Sequence, residues 1–156
     1  KSVIFRPHNV YGPNMGWEHV IPNFITKINE NIKKVKSEDI NLKIQGNGTE
    51  TRAFIYIDDF IEGLMKVFKK GKNLEIYNIG TEEEISIEEL STKIGLYFNK
   101  NVKIITGDIQ KGSTKRRCPD ISKLKSLGFY PNFTLDDGIK ITSDWYVQNQ
   151  NNQIKI

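Results

Sequence analysis

The sequence predicts an α/β or α+β fold, because short apolar strands alternate with amphipathic helices along its 156 residues. Apolar residues recur every three or four positions in residues 20–32, 60–68 and 87–98, which is the spacing of a helix with one buried face. Short apolar runs at residues 2–5, 75–79 and 102–105 are typical of strands. No internal repeat or low-complexity linker interrupts the pattern. We therefore expect one folding unit over residues 1–148, followed by a polar tail over residues 149–156.

The first elements are a strand, a loop and a helix. Residues 2–5 are apolar and Pro7 follows, which predicts a buried strand that leads into a loop. A helix is expected to begin near Val20, with these residues on its apolar face: Val20, Ile21, Phe24, Ile25, Ile28 and Ile32. Residues 36–41 are polar and are predicted to form a loop.

A Gly/Asn turn lies between the next two predicted strands, residues 42–45 and residues 52–57. Asp58 and Asp59 are expected to cap the following helix, which should end at Gly71. Its buried face is predicted to consist of Phe60, Ile61, Leu64, Met65 and Phe68.

The second half repeats the alternation of strand and helix. A strand over residues 75–79 precedes a helix whose capping box is Ser86 with Glu89 and whose apolar residues are Ile87, Leu90, Ile94, Tyr97 and Phe98. A strand over residues 102–105 and a loop over residues 107–119 follow, and then a short helix over residues 120–127. Thr134 is expected to cap the last helix, with these residues facing inward: Leu135, Ile139, Thr142, Trp145 and Tyr146.

Charge and composition argue against several classes of partner. The net charge is +4, but the basic residues are scattered, whereas a nucleic-acid-binding surface gathers them on one face. No apolar stretch approaches the length of a membrane span. We therefore expect neither a nucleic-acid partner nor a membrane partner. The lone Cys118 cannot form an internal disulfide, which favours a reducing, cytoplasmic location. The chain begins within a strand and without Met, which predicts that further chain precedes it.

The sequence lacks the groups that would perform covalent or metal chemistry. His8 and His19 are the only histidines, and no serine or cysteine is paired with either one, so neither a nucleophile nor a metal site is predicted. Cys118 follows two arginines, which should lower its pKa, yet a half-buried structural thiol is the expected role. Gly46 and Gly48 precede a strand rather than a helix, so they are not a dinucleotide fingerprint.

Other polar residues are suited to gripping an anionic ligand. Guanidinium groups and amide N–H groups bind diphosphates, and Arg52 and Asn9 each lie beside a turn that could present them to one. Arg52 could also be an ordinary surface arginine, and Asn9 could satisfy its own turn. Residues 115–117 are all basic and precede a predicted helix, where the dipole disfavours cations, so an anion is expected nearby. The main hypothesis is that Asn9 and Arg52 converge on one diphosphate.

Six segments match, in order and spacing, the motifs of a known family. They are Arg6-Pro7-His8-Asn9-Val10-Tyr11-Gly12-Pro13, Glu18-His19-Val20-Ile21-Pro22, residues 42–59 with Gly46-Asn47-Gly48 and Thr51-Arg52-Ala53-Phe54, Tyr77-Asn78-Ile79-Gly80, and Arg117-Cys118-Pro119-Asp120 with Leu127-Gly128-Phe129-Tyr130-Pro131. The chain resembles the carboxyl-terminal half of the extended short-chain dehydrogenases/reductases, which are NAD-dependent nucleotide-sugar epimerases and dehydratases. The resemblance runs from Ser2 to about Tyr146.

The resemblance implies roles for individual residues. Asn9 and Arg52 would bind the diphosphate of a nucleoside-diphosphate sugar, and the base and ribose would be lined by His19, Val20, Lys43 and Gln45. Asn78 would contact the substrate, and Val10 would lie near the nicotinamide ring. The usual second arginine of the family falls at Gln110. Another branch of the family has basic residues where this chain has Arg116 and Arg117, so we expect Arg117 to complete the diphosphate clamp, with Arg116 behind it.

The resemblance also implies the fold and the activity of the parent protein. The fold would be α/β, the carboxyl-terminal part of a Rossmann-type enzyme with a small mixed sheet, and residues 1–148 would be its substrate-binding portion. An amino-terminal portion absent from this sequence would hold most of the NAD, and the full-length protein could be a homodimer. The parent would act through a 4-keto intermediate, but no tyrosine here has lysine four residues later. The segment alone should then be inert. The alternative is a stand-alone, non-catalytic module that binds sugar nucleotides.

Overall fold

The computed structural model describes residues 1–108 and 112–152. Its strands are β1 (Ile4–Pro7), β2 (Val10–Tyr11), β3 (Asp39–Lys43), β4 (Thr51–Ala53), β5 (Ile55–Tyr56), β6 (Ile76–Ile79), β7 (Glu84–Ser86), β8 (Asn101–Ile105) and β9 (Arg116–Arg117). Its helices are α1 (Val20–Lys34), α2 (Ile57–Lys70), α3 (Ile87–Tyr97), α4 (Ser122–Ser126) and α5 (Leu135–Gln148), followed by the 3₁₀ helix Gln150–Asn152. The predicted tail therefore begins with a helical turn, and residues 153–156 lie outside the described part of the chain.

The strands form small sheets in which parallel pairing predominates. β1 pairs with β6, β2 with β5, and β3 with β8, all in parallel. β4 lies between an antiparallel neighbour, β7, and a parallel neighbour, β9. Parallel strands require crossover connections, and here helices and long loops supply them. The predicted α/β class with a small mixed sheet is confirmed.

Two apolar clusters hold these layers together. The larger cluster joins α1, α3 and α5 to β3, with Ile28, Leu90 and Ile94 fully buried. The smaller one packs α2 and α4 against β5 and β6, around Ile79 and Phe129. The predicted capping box of α3 is confirmed. Thr134 caps α5 and forms a second capping box with Asp137.

The prediction of a buried first strand was wrong. All four residues of β1 are exposed, with Ile4 at 53% and Phe5 at 43% of their full accessibility. β6 is its only sheet partner within the described residues, so its other edge is open. The apolar composition of β1 was read correctly, but composition does not say what covers a strand.

Helix α2 also departs from its prediction. Neither Asp58 nor Asp59 caps it, because the cap position is Tyr56, which makes no side-chain capping bond. Asp59 is instead 1% exposed and accepts hydrogen bonds from the backbone N–H groups of Asn132 (2.9 Å) and Phe133 (3.1 Å). Asp59 thereby joins α2 to the segment that leads into α5.

The predicted buried face of α2 is largely exposed. Ile61, Met65 and Phe68 are 48%, 43% and 73% exposed, and the residues that the helix buries are Asp59, Gly63 and Val67. Leu74 and Ile76, which follow the helix, are exposed as well. We call the exposed apolar residues on these elements the β1–α2–β6 surface: Ile4, Phe5, Ile61, Met65, Phe68, Leu74 and Ile76.

Several element boundaries differ from the sequence-based ones. β3 begins at Asp39, inside the predicted loop over residues 36–41, and pairs with β8 rather than with the strand that follows the Gly/Asn turn. The predicted strand over residues 52–57 is divided into β4 and β5, and Ile57 already belongs to α2. β2, β7 and β9 were not predicted as strands, and α4 is shorter than expected. Within the described residues, no helix is long and apolar enough to cross a membrane.

Candidate functional site

A cavity of about 600 Å³ opens between the first turns of α1, the end of β3 and the strand pair β4–β9. Chain segments that are far apart in sequence meet there. Six of the sequence-predicted site residues line it: Asn9, His19, Val20, Gln45, Arg52 and Arg117. The structure therefore brings most of the candidate ligand-binding residues to one place.

The register of β4 and β9 explains why only one of two adjacent arginines reaches the cavity. Arg52 lies beside Arg117 in the parallel pair, and Thr51 lies beside Arg116. Registered neighbours share a face of a sheet, and successive residues alternate between faces. Arg52 and Arg117 therefore both line the cavity, whereas Thr51 and Arg116 turn away from it and both contact Glu84.

Arg52 is held by backbone carbonyls of its own strand and of the segment that leads into β9. Its guanidinium donates to the carbonyls of Thr51 (2.7 Å) and Thr114 (2.8 Å). Burial lowers the pKa of Arg52 from its usual value, the positive charge of Arg117 lowers it further, and Glu50 opposes both effects. Arg117 in turn donates from Nε to the hydroxyl of Thr114 at 2.8 Å. Two guanidinium groups close enough to repel each other favour an anion that neutralises both.

Asn9 follows the end of β1 in a left-handed backbone conformation, with φ of 42°. Asparagine tolerates this conformation better than most residues. Its side-chain Nδ2 donates to the carbonyl of Ala53 at 2.8 Å, which fixes the amide against β4. An amide nitrogen carries two hydrogens, so the second remains able to donate into the cavity. Asn9 therefore lines the cavity, and its side chain bonds to β4 rather than to its own turn, which was the alternative role that the sequence left open.

The first turn of α1 borders the same cavity and has no side-chain cap. His19 occupies the cap position without a side-chain capping bond, and the first turn has no acidic residue. The N–H groups of a first helical turn have no partner within the helix and carry partial positive charge. Asn23 and Lys27 follow His19 at intervals of four residues and also line the cavity. This polar stripe was visible in the sequence at helical spacing but was not identified there.

Glu50 is a cavity residue that the sequence analysis missed. It is 8% exposed and accepts a hydrogen bond from the N–H of Gly48 at 3.2 Å. Its carboxylate lies against Gly46, where a Cβ atom would contact Oε1 and where φ is 77°. The left-handed backbone conformation therefore favours glycine at this position. Glu18 also lines the cavity, and it too was missed.

Four predicted site residues lie elsewhere. Arg116 forms a two-pronged ion pair with Glu84, with nitrogen–oxygen distances between 2.7 and 3.0 Å. The side chain of Asn78 donates to the carbonyl of Asp120 at 2.9 Å. Lys43 does not line the cavity, but its backbone carbonyl accepts a hydrogen bond from the side chain of Lys27, which does line it. Val10 packs against the smaller apolar cluster. Gln110 lies outside the described residues.

The expected pKa of Cys118 was wrong in direction. The thiol is half-buried, and burial raises its pKa, as does the nearby Glu84 carboxylate, while Arg116 opposes them. Arg116 is already paired with Glu84, so its charge is not free to stabilise a thiolate. Across residues 1–108 and 112–152, no cluster of three or more potential metal ligands is present.

Comparison with known proteins identifies the family and its typical members. Residues 1–80 match the model of the NAD dependent epimerase/dehydratase family. The chain is 36% identical over 157 aligned residues to the dTDP-D-glucose 4,6-dehydratase of Homo sapiens, covering 96% of this chain and 43% of that protein. It is 31% identical to a UDP-N-acetyl-alpha-D-glucosaminuronate decarboxylase of Bacillus cytotoxicus, covering 95% of this chain and 47% of that protein. The chain thus spans less than half the length of these relatives.

Solved structures of similar proteins share the fold. The dTDP-glucose 4,6-dehydratase of Streptomyces venezuelae, solved with NAD bound, matches with a TM-score of 0.81 and 28% identity, over 96% of this chain and 44% of that one. The UDP-glucose 4-epimerase of Thermotoga maritima, solved with UDP-glucose, matches in fold with a TM-score of 0.82 at 24% identity, over 95% of this chain and 46% of that one. The match to the family model over residues 1–80 shows that the chain belongs to the NAD-dependent epimerase/dehydratase family.

Proposed function

We propose that this chain is the nucleotide-sugar-binding portion of an NAD-dependent nucleotide-sugar epimerase or dehydratase. One observation carries the proposal: Arg52 and Arg117 lie side by side over a cavity that Asn9 and the uncapped first turn of α1 also border. All four supply N–H donors, and a diphosphate spreads its charge over several acceptor oxygens. A volume of about 600 Å³ lies within the range of ligand pockets.

The polar residues around α1 are suited to the nucleoside end of the ligand. Four other cavity residues lie at the start of α1 or just after β3: His19, Val20, Asn23 and Gln45. Together they offer hydrogen-bond donors and acceptors. We place the base and ribose beside them and the diphosphate beside Arg52 and Arg117. The assignments of Lys43, Asn78 and Arg116 to the substrate stay predictions, because these residues lie outside the cavity.

The described residues do not supply a dinucleotide-binding loop for NAD. The nearest match to a dinucleotide fingerprint, at Gly46 and Gly48, leads into β4 instead of a helix. We place the NAD-binding portion against the β1–α2–β6 surface, since apolar side chains there are exposed and the free edge of β1 could accept another strand. Relatives that extend well beyond the aligned region, such as the human dehydratase, are consistent with this placement.

The location and assembly of the parent protein are part of the same proposal. A cytoplasmic location agrees with the unpaired Cys118. A homodimer of the full-length protein is kept as a proposal that rests on the family resemblance alone. The alternative, a stand-alone binding module, is not favoured, since the relatives named above are enzymes.

The proposal is tested by titrating the 156-residue chain with UDP, dTDP, GDP, CDP and NAD in a calorimeter. Because the diphosphate cavity is built within the chain, we expect at least one nucleoside diphosphate to bind with a dissociation constant on the order of 1 mM or tighter. NAD should bind more weakly than that nucleotide. Absence of binding by all four nucleoside diphosphates would contradict the proposed function.

Substitution of Arg52 locates the ligand. Arg52→Ala should weaken nucleoside-diphosphate binding by roughly 1.5–3 kcal/mol, since charge-assisted hydrogen bonds to the phosphates are lost. Arg6→Ala removes the same charge from β1, outside the cavity, and serves as the matched control. An affinity unchanged by Arg52→Ala, or reduced equally by both variants, would remove Arg52 from the site.

A further inference from the structure

A buried tyrosine of the last helix contacts the loop that leads into the candidate site. Tyr146 on α5 is 1% exposed, and its hydroxyl accepts a hydrogen bond from the N–H of Met15 at 3.0 Å and donates one to the carbonyl of Gly16 at 2.7 Å. These partners are about 130 residues away in sequence. The hydroxyl therefore connects the last α-helix to a loop near the start of the sequence.

The loop has an unusual backbone path. Asn14 and Gly16 both have left-handed conformations, with φ of 55° and 99°. Such conformations cost free energy for a residue other than glycine and persist when surrounding contacts fix them. Tyr146 bonds to Met15, which lies between these two residues, and to Gly16 itself. Burial raises the pKa of Tyr146 further above neutral pH, so its hydroxyl is protonated. A neutral hydroxyl can donate and accept at once.

Aromatic packing reinforces the same contact. The ring of Trp17 meets the ring of Tyr146 edge-on at 4.8 Å between centroids, and Trp145 lies 6.3 Å from Trp17. Trp17 immediately precedes Glu18, His19 and Val20, all of which line the cavity. Any displacement of the loop at Met15 or Gly16 would therefore move the cavity residues of α1.

We infer that Tyr146 is a positioning residue for the nucleoside end of the ligand site, acting through its hydrogen bonds to Met15 and Gly16. The inference rests on the proposed function and extends it to a residue outside the cavity. If Tyr146 served only to pack the core, its ring would be sufficient, and phenylalanine would replace it equally well. The hydroxyl has only loop atoms as its hydrogen-bond partners within residues 1–108 and 112–152.

The test compares the wild-type chain with Tyr146→Phe, using UDP and inorganic pyrophosphate as probes. Tyr146→Phe should weaken UDP binding about five- to tenfold. This is the loss expected when two neutral hydrogen bonds are removed and part of their free energy is lost from ligand binding. Pyrophosphate binding should weaken less than UDP binding, because Arg52 and Arg117 lie on β4 and β9 rather than on the loop or α1. Hydrogen exchange at the Met15 amide should accelerate in the ligand-free variant, since its acceptor is gone.

Two further variants separate positioning from general destabilisation. Tyr130→Phe removes a hydroxyl from a residue that is 68% exposed and far from the loop in sequence, and it should change neither affinity nor exchange at Met15. Gly16→Ala strains the loop at φ of 99° without altering α5, and it should reproduce the selective loss of UDP binding.

Each result has a defined meaning. Unchanged UDP affinity in Tyr146→Phe, or an equal loss for UDP and pyrophosphate, overturns this inference while the proposed function stands. Failure of the wild-type chain to bind any nucleoside diphosphate overturns the proposed function, and the inference with it. Selective loss of UDP binding in both Tyr146→Phe and Gly16→Ala supports the inference.

Discussion

At the scale of single residues, the alternation of side chains along β4 and β9 decides which basic groups can act. Arg117 lines the cavity beside Arg52, and the adjacent Arg116 pairs with Glu84 on the other face. Thr51 also donates to Glu84, so the outer face of these strands has its own polar contacts. Two arginines that are neighbours in sequence therefore have different surroundings and should respond differently to substitution.

Arg117→Ala should weaken nucleoside-diphosphate binding by on the order of tenfold, because one of the two guanidinium groups over the cavity is lost. Arg116→Ala removes the same charge one residue earlier and is the matched control, expected to alter affinity less than about twofold. Calorimetric titration with the best-binding nucleotide measures both. A larger loss of affinity in Arg116→Ala than in Arg117→Ala would contradict the inference that strand register decides which arginine binds the diphosphate.

The sequence predicted these site residues unevenly, for physical reasons. Asn9 and Arg52 were identified because each follows or begins a strand beside a turn, and such positions face the loops where ligands bind. The family resemblance favoured Arg117 over Arg116, and Arg117 is the one that lines the cavity, but the cause is strand pairing, which no local pattern encodes. Glu50 was missed because its burial depends on contact with the Gly46–Gly48 turn. The pKa of Cys118 was misjudged because burial raises it, and because Arg116, which would lower it, already pairs with Glu84.

At the scale of elements, α5 meets the β2–β5 strand pair through a glycine. A Cβ atom at Gly138 would overlap the hydroxyl oxygen of Tyr11 and lie 2.6 Å from its Cζ. Tyr11 is 2% exposed, and its ring packs edge-on against Phe54 and Tyr56, so it has little room to move. Close approach of the helix to the strands therefore requires glycine at this position.

Gly138→Ala sets two effects against each other. Alanine favours a helix over glycine by about 1 kcal/mol, whereas overpacking of a buried contact costs about 1–3 kcal/mol. Since the contact falls far below van der Waals distance, we expect a net loss of about 1–2 kcal/mol in the free energy of unfolding. Urea unfolding followed by circular dichroism measures it. A gain in stability would show that the ring of Tyr11 can shift.

Helices with both a periodic apolar face and a capping box were predicted best. α3 and α5 begin where Ser86 and Thr134 indicated, because the cap is a local interaction between residues three apart. β2 and β9 were missed because strands of two residues have no periodicity and exist only through their partners. β3 was placed too late because Asp39 and Asn41 are polar residues on its exposed face.

At the scale of the whole molecule, the β1–α2–β6 surface is the main feature that the fold leaves uncovered. Periodicity correctly predicted an apolar face on α2, but it assigned that face to the core of this chain. Phe68 is 73% exposed, and Met65 and Ile61 lie about one and two turns earlier on the same helix. Exposed apolar patches favour association, so this surface should govern how the isolated chain behaves in solution.

Phe68→Ser should reduce self-association of the 156-residue chain without lowering its stability, because the side chain makes few contacts when exposed. Sedimentation velocity across a concentration series measures the effect. Leu96→Ser is the matched control, since Leu96 is 65% exposed on α3, outside the β1–α2–β6 surface. Equal behaviour of the two variants would contradict a special role for this surface.

The anchoring of an early loop by a late helix has a consequence for biosynthesis. Residues 12–19 emerge from the ribosome long before α5 has been translated, so Met15 and Gly16 cannot yet meet Tyr146. The larger apolar cluster, to which α5 contributes Leu135, Ile139 and Tyr146, is also incomplete until then. The ligand site that we propose should therefore form only after α5 has been synthesised and has docked.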